Sequence, residues 1–404
     1  MPLENGERGD WMSKTGKKCL WWAIAGGLLA LSLVAALLLP PLLAPPPPDP
    51  TEGLSRLSKK EPPKIEETSD GVSSDLPSGE RPPVILKPID GSAGEDKLLH
   101  TLTFSFVGDC MLASYMGQTH SDSLNYAMAH RDPDYFFRFV SDYFLADDWT
   151  VGNCENVFTD RSLSPVEKNY RPAYWYRSPA ANAGIFRVAG IDAVSVCNNH
   201  AGDYGDMGYE DTLHALREAG VSAGQFEEPL RFEKYGFRVT VLCGNLYSGY
   251  QADYILPQIE RERPLCDYLI VYFHGGTERI HQPDDWKIAA CRRLVDAGAD
   301  LVLGMHPHVL QPCEEYKGKL ICYSLGNFLF GGGRNEENRT AILQMQLTVK
   351  DGILTESRYE WVPCYLYATR DQSTPDCWLP KPIESESEKQ RVLDFLAGKT
   401  EAPL

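Results

Sequence analysis

An α/β domain with a largely parallel central sheet is the fold this sequence predicts, and three observations predict it. Short apolar runs recur after residue 98, and helix-patterned segments lie between several of them at the spacing of βαβ units. Several of these runs end abruptly in Asp, Glu, Asn or His, as strands do when they deliver side chains to the carboxyl edge of an open sheet. With 404 residues and 43% hydrophobic content, the chain can build one large domain or two ordinary ones around a full core.

The chain opens with a different pattern. Leu20 to Leu39 reads LWWAIAGGLLALSLVAALLL, an uncharged run long enough to span a bilayer as a helix. Lys14, Lys17 and Lys18 precede it, and prolines and acids follow. The lysine bias predicts a cytoplasmic N-terminus (1–18), a single-pass anchor (19–40) and an extracytoplasmic remainder, with the protein in the cell membrane. The run exceeds a usual signal-peptide core, and LLAPPPP is a poor cleavage site, so an uncleaved anchor is favoured. Residues 41–97 are rich in Pro, Ser, Glu and Lys and predict a disordered tether.

Folded structure is expected from LHTLTFSFVGD at 99–109. Further strands are predicted at Thr150–Cys154, Ala193–Cys197, Val239–Cys243, Tyr268–Phe273, Asp300–Leu303 and Leu320–Tyr323. Helices are predicted over Ser178–Val188, Tyr209–Ala219 and Trp286–Ala297. Residues 341–362 alternate polar and apolar and read as an antiparallel closing hairpin, whereas little order is expected after about Ser373. Most of the eleven cysteines lie in or beside apolar runs, where cysteine acts as a small hydrophobe. Cys364 and Cys377 are the pair placed for a bridge. The net charge of −17 excludes nonspecific nucleic-acid binding, and a polyanionic substrate would need a local cation.

The strand ends carry Asp109, then Asn153 and Glu155, then Asn198, Asn199 and His200, then His274 and Glu278, then His306 and His308, then Asn327. Each has an ordinary reading: an Asp after Gly caps turns, and paired Asn close loops. His100, His120, His130, His214 and His281 are set aside as surface or packing residues. Two imidazoles two residues apart at an extended strand end can share one site. The joint set of carboxylate, imidazole and amide oxygen suits Zn, Mn or Fe better than Mg or Ca. Asn198 is open between supporting a ligand and closing the turn. Arg171 and Arg177, in NYRPAYWYRSP, are candidates for orienting an anionic group, with an aromatic packing loop as the alternative.

FVGDCML, NCENVFTD, NNHAGDYGDMGYEDTLHALREAGV, YFHGGTE and GADLVLGMHPHVLQPCEEYKGKLICYSLGNFLF resemble, in order over roughly residues 100–365, the motifs of the CapA/PgsA capsule-synthesis proteins. That family is associated with poly-γ-glutamate capsule biosynthesis and has a calcineurin-like metallophosphoesterase fold. The resemblance implies a sandwich of two central mixed sheets flanked by helices over 98–370, followed by a C-terminal tail at 371–404. It implies Asp109 as a first metal ligand and Glu155 as the acid bridging two metals. Asn199 becomes an amide ligand, His200 the imidazole beside the reacting group, and His274, His306 and His308 complete the coordination. Met111 stands where such phosphoesterases place a histidine, and Glu155 replaces their usual aspartate, so the first metal site is short of one nitrogen and one or two ions are expected.

Three functions follow for test. The first is a metal-dependent hydrolase acting on a phosphoester or an envelope polymer, with His200 and Asn199 catalytic and with Arg171, Arg177 and Glu278 binding substrate. The second is a non-catalytic scaffold or polymer-anchoring subunit working with other membrane subunits of a capsule-synthesis complex. The third is a protein that holds a carboxylate-rich polymer through metal. Met111 favours the latter two, and Asn199-His200 favours the first.

Overall fold

The computed structural model describes residues 99–403 apart from 116, 117, 119 and 334–336. The expected anchor and tether lie outside the described residues. Among the described residues no helix is long and apolar enough to cross a membrane.

Two mixed sheets form the frame, where the strand pattern alone suggested one largely parallel sheet. In the first, β1 (Leu99–Met111) is central. It runs parallel to β2 (Trp149–Cys154), which leads to β5 (Ala193–Ser195) and β6 (Ser222–Gly224). On its other side β1 pairs antiparallel with β14 (Thr340–Lys350) and parallel with the short β13 (Asn327–Phe330); β15 (Ile353–Tyr365) and β16 (Lys381–Pro382) extend that edge. The second sheet has a parallel centre of β8 (Phe237–Asn245), β9 (Tyr268–His274), β10 (Leu301–Met305) and β12 (Lys319–Leu325). Antiparallel β7 (Leu230–Lys234) and β11 (Leu310–Tyr316) close its two edges. A small separate pair joins β3 (Val157–Phe158) to β4 (Arg177–Ser178). Parallel strands buried on both faces read as the same apolar run whichever sheet they join, so the division into two sheets is invisible locally.

The inner faces meet in one apolar layer. Phe104 and Phe106 of β1, Trp149 of β2 and Leu343 and Met345 of β14 pack with Phe232, Val241, Ile270, Tyr272 and Leu303 of the second sheet. The outer face of the first sheet is covered by α1 (Leu124–His130), α2 (Ser141–Ala146), α3 (Gly184–Ala189) and α4 (Gly205–Glu218), through Leu124, Phe144, Phe186 and Leu216. The outer face of the second is covered by α5 (Ala252–Glu262) and α6 (Asp285–Asp296), through Ile255, Ile259, Cys291 and Leu294.

The expected closing hairpin is β14–β15, turned by Asp351 and Gly352 at φ 52° and 77°, the left-handed pair that a two-residue hairpin requires. Two expectations at the C-terminus differ from the structure. The segment after Ser373 contains α7 (Glu386–Leu396), whose Val392, Phe395 and Leu396 are buried against Leu310 and Ala341. Its apolar positions, though few, fall on one face. Cys364 is a thiol that donates to the Val362 carbonyl at 3.3 Å, so the Cys364–Cys377 bridge is not formed.

Candidate metal centre

The carboxyl ends of both sheets face one another, and each sheet supplies a different chemistry. The first provides oxygen: Asp109 near the end of β1, Glu155 just after β2, and Asn199 after β5. The second provides nitrogen: His274 ends β9, and His306 and His308 follow β10. Backbone packing fixes the approach. A Cβ on Gly108 would lie 1.8 Å from the Gly326 carbonyl oxygen, and that same carbonyl accepts from the Asp109 amide at 2.9 Å. Only glycine lets these two strands come so close. His306 and His308 hold φ of 94° and 59°, a conformation unfavourable for non-glycine residues and typical of strained functional loops.

Asp109, Glu155 and His274 are fully buried. The Asp109 carboxylate accepts from Asn153 Nδ2 at 2.8 Å and from the His306 amide at 3.0 Å, and lies 3.2 Å from His274 Nδ1 and 3.5 Å from His308 Nδ1. His274 Nε2 has three neighbours: Asn199 Oδ1 at 2.8 Å, His306 Nδ1 at 3.0 Å and Glu155 Oε1 at 3.3 Å. Such a knot of lone-pair atoms around a shared centre is costly unless a cation joins them. Glu155 sharpens the point, because neither of its buried oxygens has a hydrogen-bond donor. Among the described residues two candidate ligand groups emerge, Asp109–Glu155–His274 and Glu155–His306–His308. Both contain Glu155, the arrangement expected of a bridging carboxylate. The donor set of carboxylates, imidazoles and an amide oxygen fits a divalent transition ion.

The electrostatics describe the same centre filled with protons instead. Burial pushes the Asp109 carboxyl up, but His274 and His308 outweigh it and hold it well below the usual range. Burial opposes charge on His274, yet Glu155 and Asp109 raise it to about 9. His308 is likewise raised to about 10 against burial, by Glu155, Asp109 and the exposed Glu278. His306 is held well below its usual range by burial and by the two neighbouring imidazoles.

His200 lies beside this knot as a separate unit. Its Nδ1 is 2.9 Å from Asp203 Oδ2; a carboxylate can only accept, so Nδ1 carries the proton and Nε2 is left as the reactive nitrogen. Asp203 is itself held by Lys168 Nζ at 2.6 Å and the Tyr176 amide at 2.7 Å, and the Tyr176 ring stands edge-on to the imidazole at 4.7 Å. Asn198 supports the ligands' frame: its Nδ2 donates to Asn153 Oδ1 and the Cys154 carbonyl, and its Oδ1 accepts from the His200 amide. The two arginines each bond through one guanidinium nitrogen to nearby backbone. Arg171 donates to the Lys168 and Tyr170 carbonyls, and Arg177 donates to the Arg161 and Leu163 carbonyls while stacking on Tyr204. Met111 packs in an apolar cluster with Ala113, Tyr176 and Phe330.

Asn153, one of the strand-end residues, links Asp109 to His274 Nδ1. Three contributors escaped the sequence reading: Lys168 and Asp203, which orient His200, and Tyr247. Tyr247 is buried edge-on to His306 at 5.1 Å, with its hydroxyl unpartnered. Asp203 had a signal, since it follows His200 by one turn's spacing; Tyr247 had none.

A family model described as "Bacterial capsule synthesis protein PGA_cap" matches residues 103–332, which span every residue of this centre. The chain belongs to that family. The chain is similar to the "PGA biosynthesis protein CapA" of Bacillus subtilis, 28% identical over 72% of this chain and 76% of that protein. The "Capsule biosynthesis protein CapA" of Bacillus anthracis is 30% identical over 74% of each chain. A "Probable polyglutamine synthesis accessory protein" of Mycobacterium tuberculosis is 27% identical over 49% of this chain and 63% of its own. The PGA_cap family lies within the metallophosphoesterase-like superfamily, in keeping with the α/β sandwich.

Proposed function

We propose that this PGA_cap protein acts in the synthesis of a poly-γ-glutamate or related envelope polymer, as a membrane-anchored, extracytoplasmic hydrolase with one or two divalent transition ions at the sheet junction. The reading rests above all on Glu155, a fully buried carboxylate with no hydrogen-bond donor and with three imidazoles around it. An apolar or hydrogen-bonded residue would be less costly there if the position were only structural. The names of the two Bacillus relatives support the capsule setting. The run at 19–40 is the proposed anchor, through which the domain would meet other membrane subunits of a synthesis complex.

Asp109, Glu155, Asn199, His274, His306 and His308 would hold the ions. Bound there, they supply Lewis-acid polarisation and the positive charge that a net −17 chain otherwise lacks for an anionic substrate. The remaining chemistry belongs to the chain. Asp203 fixes the His200 tautomer, so Nε2 can hand a proton to a leaving oxygen or accept one from an attacking group. Lys168 balances the charge of Asp203, and the Tyr176 ring restricts the imidazole to one orientation.

The test is metal analysis of the full chain purified in detergent without chelator, with phosphomonoester, phosphodiester and poly-γ-glutamate hydrolysis measured for wild type and His200→Ala. Bound Zn, Mn or Fe together with an activity lost in His200→Ala is expected. Metal without activity on any class would transfer the protein to the scaffold reading, and absence of metal would remove the enzyme.

A further inference from the structure

The β11–β12 hairpin carries a pair of cysteines that the strand register brings face to face. Cys313 of β11 is the direct antiparallel partner of Cys322 of β12. Lys317 and Gly318 turn the hairpin at φ 53° and 72°, making Tyr316 and Lys319 the hydrogen-bonded pair that flanks a two-residue turn. Counting back along the ladder, hydrogen-bonded and non-hydrogen-bonded pairs alternate, so Cys313–Cys322 falls on a non-hydrogen-bonded position. At such positions the Cα atoms stand about 4.5 Å apart, inside the range that a disulfide spans, and side chains approach most closely. Cys313 packs against the apolar cluster that contains Cys322, and beyond the effect of burial it is the neighbour that holds the Cys322 thiol well above its usual range.

The other neighbouring cysteines differ. Cys110 and Cys154 are parallel-strand partners sealed in the interior, and each thiol donates to a backbone carbonyl. Cys197 and Cys243 are also buried. Cys313 is half-buried, so of these three pairs only Cys313–Cys322 has a member that an external reagent can reach.

We propose that Cys313 and Cys322 are a disulfide site, closed by exchange with an external disulfide, either a small molecule or a thiol–disulfide oxidoreductase. The Cys313 thiolate attacks one sulfur of the reagent and expels the first reagent thiolate. Cys322, deprotonated in turn, attacks the Cys313 sulfur of the mixed disulfide and expels the second. One S–S bond is broken and one formed; the two cysteines are oxidised, and the reagent is reduced to two thiols that take up the two protons. The slow step is the second attack, because few Cys322 thiolates exist near neutral pH, and closure accelerates as pH rises.

The position gives the bond a consequence for the metal centre. β11 begins two residues after His308, and Ser324 of β12 donates to the Val309 carbonyl at 2.8 Å. Just beyond β12, Gly326 accepts from the Asp109 amide and Asn327 Oδ1 lies 2.8 Å from His308 Nδ1. Closing the disulfide therefore ties β11, which leaves the His306–His308 loop, to β12, which leads to Gly326 and Asn327 beside it. An extracytoplasmic setting would supply the oxidising conditions, but the chemistry does not depend on the metal-centre reading.

The experiment is to incubate the full chain with oxidised glutathione at several pH values, block remaining thiols with iodoacetamide, and map peptides by mass spectrometry. Loss of two hydrogens per chain is expected, with Cys313 and Cys322 in one cross-linked peptide, a rate that rises with pH and a melting temperature several degrees higher. Cys313→Ser should show neither cross-link nor shift. A stable glutathione adduct on Cys313, two alkylated thiols after prolonged oxidation, or a cross-link at other cysteines would each overturn the proposal. The wild-type map decides the matter even if the variant fails to fold.

Discussion

Replacing Glu155 by Gln keeps the shape of the side chain and removes a charge whose oxygens have no hydrogen-bond donor. Metal affinity is expected to fall at least about 100-fold, since ligand loss exceeds the 10–100-fold effects of supporting residues. The metal-free variant should melt within a few degrees of the metal-free wild type; competition with a chromophoric chelator and thermal unfolding measure the two quantities. Gly108→Ala tests the close approach of β1 to Gly326, where a methyl has no space. It should cost about 3 kcal/mol or more in denaturant unfolding, at the upper end of overpacking. At this scale much of the centre was legible: the rule that strands present chemistry at their carboxyl ends placed Asp109, Glu155, Asn199, His274, His306 and His308 together, as the structure does. Arg171 lies in a loop and Arg177 at the start of the short strand β4, away from the strand ends that the rule addresses, and one guanidinium nitrogen of each donates to backbone carbonyls. Tyr247 and Lys168 contribute through contacts that no local pattern encodes.

Among the elements, long apolar runs and turn chemistry could be read, whereas polar or interrupted segments could not. The β14–β15 hairpin declared itself by alternation and by Asp351-Gly352. Helix α5 did not, because Pro257 inside it breaks the usual helical signature. The predicted helix at Ser178–Val188 resolves into a 3₁₀ turn at Ala180–Ala183 and the short α3. Edge strands β7 and β11 are too polar and short to stand out. A contact near the β11 edge gives a pH prediction. His281 lies 3.4 Å from Glu337 and 2.9 Å from the Leu310 carbonyl, and Glu337 is the main cause of its raised pKa. A base with a raised folded-state pKa stabilises fully below its unfolded value of 6.5 and loses that contribution as pH rises through the folded value. Because His281 is half-exposed, the effect should stay below about 1 kcal/mol. Urea midpoints of wild type should fall relative to His281→Gln between pH 5.5 and 8.5; parallel curves would refute the contact.

Across the whole molecule, the candidate oxygen ligands belong to one sheet and the candidate nitrogen ligands to the other. An ion held between them binds only when the two inner faces are in register, so metal affinity converts directly into stability. At free metal about 1,000 times the dissociation constant, the gain is about 4 kcal/mol. Chelation should therefore lower the melting temperature of wild type by several degrees and that of Glu155→Gln hardly at all. Calorimetry with and without EDTA distinguishes these outcomes.

The strand that begins the described fold has a mechanical consequence. Residues 1–98 join the domain at Leu99, and β1 runs from there between β2 and β14 to Asp109. A pull arriving along the preceding chain acts parallel to β1, so it loads the ladders with β2 and β14 in shear, all bonds together rather than one after another. Tension applied through the preceding chain would thus be borne by the strand that carries the candidate ligand Asp109, and force spectroscopy with the pulling point before Leu99 should find a high rupture force that rises further if metal is bound.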